Sequence, residues 1–314
     1  MSTATPQRPA PGRASWPYWS WFALVAPWCW FLLRDRLGAV ALGVAILMPV
    51  LVPLAAAALV VLVRPRRAAA AVAASTLLAG VVAVVLPWTP QDAGAVAAGR
   101  AVTVASANVR GRATAAGALV AADADVLVIS EMAPGLRAPL AAHYPYRAET
   151  AAGPDVAVFS RLPLEAPRTG DLPGLRVEVA GRGGPFVLYA LHVPRPWITG
   201  ASGGYQATPD EHLRIVEGIR DRAAAERSPV VVTGDLNSSD RAPDYRALVR
   251  GGLVDAMRAE WAGPTQVGRW RPLLVRIDHV LVGPGWCGDG ARRLDLPRSD
   301  HAGVTVAVGP CVRG

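Results

Sequence analysis

The sequence predicts an α/β sandwich preceded by an all-α membrane region of two to three transmembrane helices. Three observations carry that expectation. Residues 1–100 hold only 8 Arg and 2 Asp among long stretches of Ala, Val, Leu, Trp and Pro. From residue 101 onward, β-branched runs alternate with helical or irregular pieces, the pattern of strands buried on both faces. Several of these runs end in a residue able to do chemistry, as in VVVTGDLN at 230–237.

At 314 residues the chain can hold one large α/β domain plus an extension. Its formal charge of +8 divides into +6 from residues 1–100 and +2 from residues 101–314, where 24 Arg meet 22 acidic residues. The basic excess therefore belongs to the front third, whereas a nucleic-acid footprint should lie on the folded domain.

The apolar front reads as three blocks, at 16–33, 37–63 and 68–88. A bilayer core of about 30 Å needs about 20 apolar residues in a helix. The second block has 27 uncharged residues and the third 21, so both suffice. The first is borderline, and its Trp and Tyr suit an interfacial belt. Three successive blocks are not the pattern of a cleaved signal peptide. The expected organisation is a cytoplasmic tail at 1–15, these helices, a linker at 89–100 and a folded domain at 101–314. RPRR at 64–67 carries three positive charges, while RDR at 34–36 carries two Arg and one Asp. Putting the tail, with Arg8 and Arg13, and the RPRR turn in the cytoplasm leaves the domain outside, at a multi-pass cell membrane. Cys287 and Cys311 either bridge in such an oxidising compartment or remain two unrelated buried thiols.

In the rear two-thirds, strands are expected at 101–111, ending in Asn108, at 125–132, ending in Glu131, and at 155–163, ending in Ser160 and Arg161. Further strands are expected at 185–194, ending in His192, at 230–237, with Asp235 and Asn237, at 275–283, with Asp278, and at 298–309, opening on Ser299, Asp300 and His301. The stretch 209–226 is the best amphipathic helix, opened by Thr208 and Asp210, and 113–124 is an Ala-rich helix candidate. Any one polar strand end is what turn chemistry provides. Eight of them in order are not.

This ordered set resembles the endonuclease/exonuclease/phosphatase superfamily, the fold shared by DNase I, exonuclease III, sphingomyelinases and inositol-phosphate 5-phosphatases. RIDHVLV and SDHAGV carry the likeness best, with GDLN next, over roughly 101–308. It implies a DNase I-like four-layer α/β sandwich and a metal-dependent phosphohydrolase, in which a cation, an activated water and aimed donors act on a phosphoester. By this resemblance Glu131 is the main metal ligand, with Asn108 and Asp300 beside it, and the cation is Mg²⁺ or Mn²⁺. Asp235 is the base orienting water, Asn237 holds a phosphate oxygen, and His192 donates to the phosphate or assists the leaving group. Asp278 fixes the tautomer of His301. Arg161 is either a substrate contact or a structural ion pair. His143 and His212 read as surface residues, and His279, on the opposite strand face from Asp278, as a core residue. The stretch GPTQVGRW departs from the family, where Thr is followed by an aromatic residue; Trp270 is a candidate to serve instead.

Three readings of function follow. The first is a membrane-tethered hydrolase with an extracytoplasmic site, acting on a lipid-linked phosphate or pyrophosphate. A linker of about 12 residues spans at most about 40 Å, which keeps substrate and site on one membrane. The three-span layout is similar to bacterial VanJ-type members associated with glycopeptide resistance, which implies an undecaprenyl-pyrophosphate-like substrate. The second is a nuclease, for which the near-balanced charge of the domain shows no basic face. The third is an inactive membrane-anchored binding module, which filled catalytic positions argue against. No protein partner is indicated. The loop at 194–211 is expected to be a mobile lip, with Trp197 either engaging lipid and substrate or packing as a local anchor.

Overall fold

The computed structural model describes residues 16–91, 94–151, 156–196, 205–260, 263–269 and 271–312. Three helices come first: α1 (Tyr18–Leu33), α2 (Gly38–Leu62) and α3 (Arg66–Val85). Two helical stretches, Gly38–Leu62 and Arg66–Trp88, are long and apolar enough to cross a membrane. With 16 residues α1 is shorter, as its sequence suggests. Large side chains such as Phe22, Leu54, Val61 and Leu62 stand exposed around the bundle. Inside it, Trp28 Nε1 donates to Ser75 Oγ at 3.0 Å, and that hydroxyl donates to Leu24 O at 2.9 Å.

The strands follow as β1 (Val102–Asn108), β2 (Val126–Ser130), β3 (Tyr146–Glu149), β4 (Ala157–Ser160), β5 (Leu164–Arg168), β6 (Gly174–Gly181) and β7 (Gly184–His192). Then come a short parallel pair, β8 (Arg195–Pro196) and β9 (Gln206–Ala207), and β10 (Val230–Asp235), β11 (Val254–Asp255), β12 (Asp278–Val282), β13 (Trp286–Leu294) and β14 (Gly303–Pro310). One six-stranded sheet has the order β13-β14-β1-β2-β4-β3 and the other β11-β12-β10-β7-β6-β5. The helices α4 (Ala116–Ala121) and α5 (Arg137–Ala141) cover the first sheet, and α6 (Pro209–Ala225) and α7 (Pro243–Arg250) the second.

Four layers result, and the period of two along each strand explains them. In β2, Val126 and Val128 enter the core between the sheets, while Leu127 and Ile129 pack under α4 and α5. Both faces are covered, so the run is continuously apolar instead of alternating. Helix α6 opens on the Thr208–Glu211 capping box. The edge strands β3, β5 and β13 escape the sequence reading because their polar, half-exposed residues lack that signature; β6, which alternates buried and half-exposed positions, is also missed.

The bundle and the domain are joined more intimately than a tether. Residues of the 89–100 stretch run along the domain, with Gln91 N–H on Arg258 O at 3.1 Å and Ala97 N–H on Pro310 O at 2.8 Å. Asp35, between α1 and α2, pairs with Arg246 and Arg250 of α7. Pro49 within α2 supplies no N–H, so the carbonyl four residues earlier, that of Ala45, lacks its helical donor. Buried Arg241 fills the gap: its Nε donates to Ala45 O at 2.6 Å, and its other nitrogens reach Ile46 O at 3.3 Å and Leu274 O at 2.7 Å. Burial lowers its pKa to about 10. Beside it Leu274 enters an apolar cluster with Trp30, Phe31, Met48 and Val52.

Candidate active site

Strand direction gathers the polar ends. Strands β7 and β10 are parallel and place Asp235 beside His192, while antiparallel β12 sets Asp278 opposite Asp235. Parallel β1 and β2 bring Asn108 beside Ser130, the residue before Glu131. Strand β14 runs against β1 and starts at Gly303, so Ser299–His301 lie in the turn before it and not within it. Gly234 has φ +135°, and a Cβ there would lie 1.9 Å from Leu191 O. No other residue fits that approach of β10 to β7, which explains the glycine ahead of Asp235.

The centre is a buried triad. His301 Nδ1 lies 2.9 Å from Asp278 Oδ2, and its Nε2 is 3.8 Å from Asp235 Oδ2. With a carboxylate on Nδ1, the proton sits there and Nε2 faces Asp235. Burial disfavours the charged ring, but Asp278 and Asp235 outweigh it and raise the His301 pKa to about 10. Burial raises the Asp235 carboxyl, against the pull of His301. Asp235 also accepts Asn108 Nδ2 at 2.9 Å and the Asn237 N–H at 2.9 Å. His192 Nε2 stands 3.9 Å from Asp235 Oδ2 and 4.0 Å from Glu131 Oε1, and Tyr205 lies against its ring with centroids 4.8 Å apart.

Two sets of groups could hold a cation. Asp235, Asp278 and His301 offer ligand atoms within 4.8 Å of one another. They are buried and bound to each other, which suits proton handling better than a metal cage. Glu131 and Asp300 are the carboxylates more open to water. Their side chains are 43% and 24% exposed, and carboxylates open to water suit a hard cation that keeps part of its hydration. Asn108 presents nitrogen, not oxygen, to this space: its Nδ2 also donates to Glu131 Oε1 at 3.0 Å, while its Oδ1 accepts the Arg110 N–H at 2.9 Å. In this arrangement it holds the carboxylates instead of ligating.

Two further expectations are resolved or corrected, and two fall outside the described residues. Arg161 follows β4, which runs antiparallel to β2, so it emerges at the opposite sheet edge. There it pairs with Asp123 at 2.7 Å and is an ion pair, not a substrate contact. His212 is fully buried, with Nδ1 2.8 Å from Pro194 O and Nε2 2.8 Å from Asp244 Oδ2. It begins the stripe His212, Val216, Ile219, Ala223 on α6, and that helical spacing was the signal for it. Trp197, with the lip residues up to 204, and Trp270 lie outside the described residues.

His143 is exposed, and His279 is buried with Nε2 2.7 Å from Ser238 O, its pKa lowered by burial. Asn237 donates Nδ2 to Val193 O at 2.9 Å, tying its turn to the end of β7. Thr265 Oγ1 accepts the N–H of Ile277 at 2.9 Å and of Asp278 at 3.1 Å, a supporting role the sequence reading missed. Cys287 and Cys311 form a disulfide.

Known proteins share this fold. The structure is similar to an endonuclease/exonuclease/phosphatase from Beutenbergia cavernae, at 22% identity and a TM-score of 0.53 over 68% of this chain and 72% of that one. It is also similar to D. rerio TDP2 humanized by 14 mutations, at 15% identity and a TM-score of 0.51 over 67% of this chain and 99% of that one. No curated protein sequence matches. The model of one family spans residues 105–301, from inside β1 to the imidazole of the triad. On that match the chain belongs to the Endonuclease/Exonuclease/phosphatase family, whose members hydrolyse phosphoesters.

Proposed function

We propose that the protein is a membrane-anchored, divalent-metal-dependent hydrolase of phosphoric esters or anhydrides, with its site outside the cytoplasm and a lipid-linked phosphate or pyrophosphate as substrate. One observation carries the substrate class: the edge of the sandwich that holds the triad is the edge docked on the helix bundle. Arg241 lies six residues after Asp235 and Leu274 four before Asp278, and both enter the contact with α2. A phosphate at the bilayer surface is thereby close to Asp235. Duplex DNA would have to share that edge with the bundle, which disfavours the nuclease reading. The Cys287–Cys311 bridge supports an oxidising compartment, and the helix layout keeps the likeness to VanJ-type proteins open as a guide to an undecaprenyl-pyrophosphate-like substrate.

The chemistry follows from the groups present. Asp235 accepts a proton from water as its oxygen bonds to phosphorus. The bond to the bridging or ester oxygen breaks, and the electron pair leaves with that oxygen. His301, oriented by Asp278, and His192 place hydrogen-bond donors where charge develops on the phosphoryl oxygens. Glu131 and Asp300 would hold the cation, Mg²⁺ or Mn²⁺, which supplies charge neutralisation when bound. The inactive-module reading is disfavoured because every catalytic position is filled.

The test is hydrolysis by the full chain in lipid nanodiscs with Mg²⁺, offered a polyprenyl diphosphate, a phospholipid and plasmid DNA. Preferential diphosphate hydrolysis is expected; preference for DNA would overturn the reading. A reporter that works only outside the cytoplasm should be active after Gly314 and silent after Arg66, and the reverse result would invert the topology.

A further inference from the structure

Among the described residues, seven non-glycine residues adopt positive φ, and five of them, Arg110, Glu131, Asn237, Leu274 and Arg298, lie on the catalytic edge, where Leu274 packs on the helix bundle. Left-handed backbone disfavours any residue with a Cβ and persists where surrounding contacts enforce it, often at functional sites. Glu131 and Asn237 belong to the candidate site. Arg110 and Arg298 have no role in it so far.

Arg110 is fixed from both sides. Its N–H donates to Asn108 Oδ1 at 2.9 Å, and the next N–H, of Gly111, donates to Glu131 O at 2.8 Å. The side chain is 55% exposed, with NH1 3.3 Å from Asp300 Oδ2. Arg298 is exposed in the turn that carries Asp300, and that turn is tied to the same strand end by Ser299 Oγ donating to Asn108 O at 2.7 Å. Two turns, each bearing an exposed arginine, thus meet at Asn108.

We propose that Arg110, with Arg298 beside it, forms a subsite for a second phosphate, the one across the bridging oxygen from the phosphorus attacked. The inference rests on the phosphohydrolase reading above and sharpens it to diphosphates. A guanidinium donates two parallel hydrogen bonds to a phosphate, and it takes up negative charge as the bridging oxygen leaves. A phosphodiester has no group to place there. The arginine therefore selects anhydride over ester.

Arg110→Gly tests this in the full chain, because glycine accepts φ +51° without strain. The ratio of kcat/KM for a prenyl diphosphate over a small soluble phosphodiester should fall about 10- to 100-fold, the scale of a charged hydrogen bond, while Tm is unchanged or higher. Affinity for inorganic pyrophosphate relative to inorganic phosphate should fall alongside, a readout that stands even if no tested ester or anhydride is turned over and the hydrolase reading fails. Arg298→Ala should lower the same ratio by a smaller factor. Equal losses on both substrates, with a lower Tm, would make Arg110 only a partner of Asp300 and overturn the proposal. So would an unchanged pyrophosphate preference, or a loss confined to plasmid cleavage.

Discussion

The two edges of the sandwich use the same residue types in opposite ways. At the edge away from the helices, Arg182 pairs with Asp125 at 2.7 Å and Arg161 with Asp123 at 2.7 Å, each pair with one partner largely in solvent. At the docked edge, Asp235, Asp278 and His301 are withdrawn from water, and the pKa of His301 rises to about 10 under two neighbouring carboxylates after burial has opposed it. Water reaches one member of each of these pairs and screens it. Removed from water, the same charges act on each other strongly, and on a bound phosphate. Which end of its strand an aspartate occupies decides whether it joins the buried triad.

Substitutions can break that contrast, beginning with the docked edge. Asp235→Asn and His301→Ala should each lower kcat by at least about 100-fold while the protein stays folded, and EDTA should abolish turnover by the parent. Folded variants with near-normal rates would end the phosphohydrolase reading. The next largest effect falls on the support beneath the edge. His212→Ala strips Asp244 of its buried partner and should cost about 3–5 kcal/mol by thermal or chemical unfolding. Arg241→Met leaves the Ala45 carbonyl without a donor, at about 1–3 kcal/mol. Adding Pro49→Ala restores a helical N–H to that carbonyl, so the double variant should be more stable than the sum of the two changes; strict additivity would mean that the arginine does not substitute for the missing donor. Least of all, Arg161→Ala at the far edge should cost no more than about 1 kcal/mol and leave kcat within about twofold.

Much of this was legible in the sequence, for identifiable reasons. Asn108, Glu131, His192, Asp235, Asp278 and His301 follow or precede buried runs whose polarity changes abruptly, and chain order alone matched them to a family. Arg161 stayed open between substrate contact and ion pair because a sequence shows that a strand ends but not which way it runs. His212 was misread because a histidine was weighed by type and not by its place on the stripe with Val216 and Ile219. Asn108 was assigned the right neighbourhood, yet only geometry shows which end of its amide faces Glu131. The docking of Arg241 on Ala45 was beyond reach, since neither residue announces a partner nearly two hundred positions away.

That contact has a consequence for height. If α2 crosses a bilayer as proposed, the guanidinium of Arg241 pins the catalytic edge to one turn of that helix, and the helix becomes a ruler. Each residue added to α2 between Gly38 and Ala45, its outer end in that topology, changes the standing of Asp235 over the lipid phosphates by about 1.5 Å, whereas lengthening the 89–100 stretch changes nothing while the pin holds. A domain cut free at residue 101 would carry Arg241 and Leu274 with no helix to receive them, and it would have lost its sense of depth.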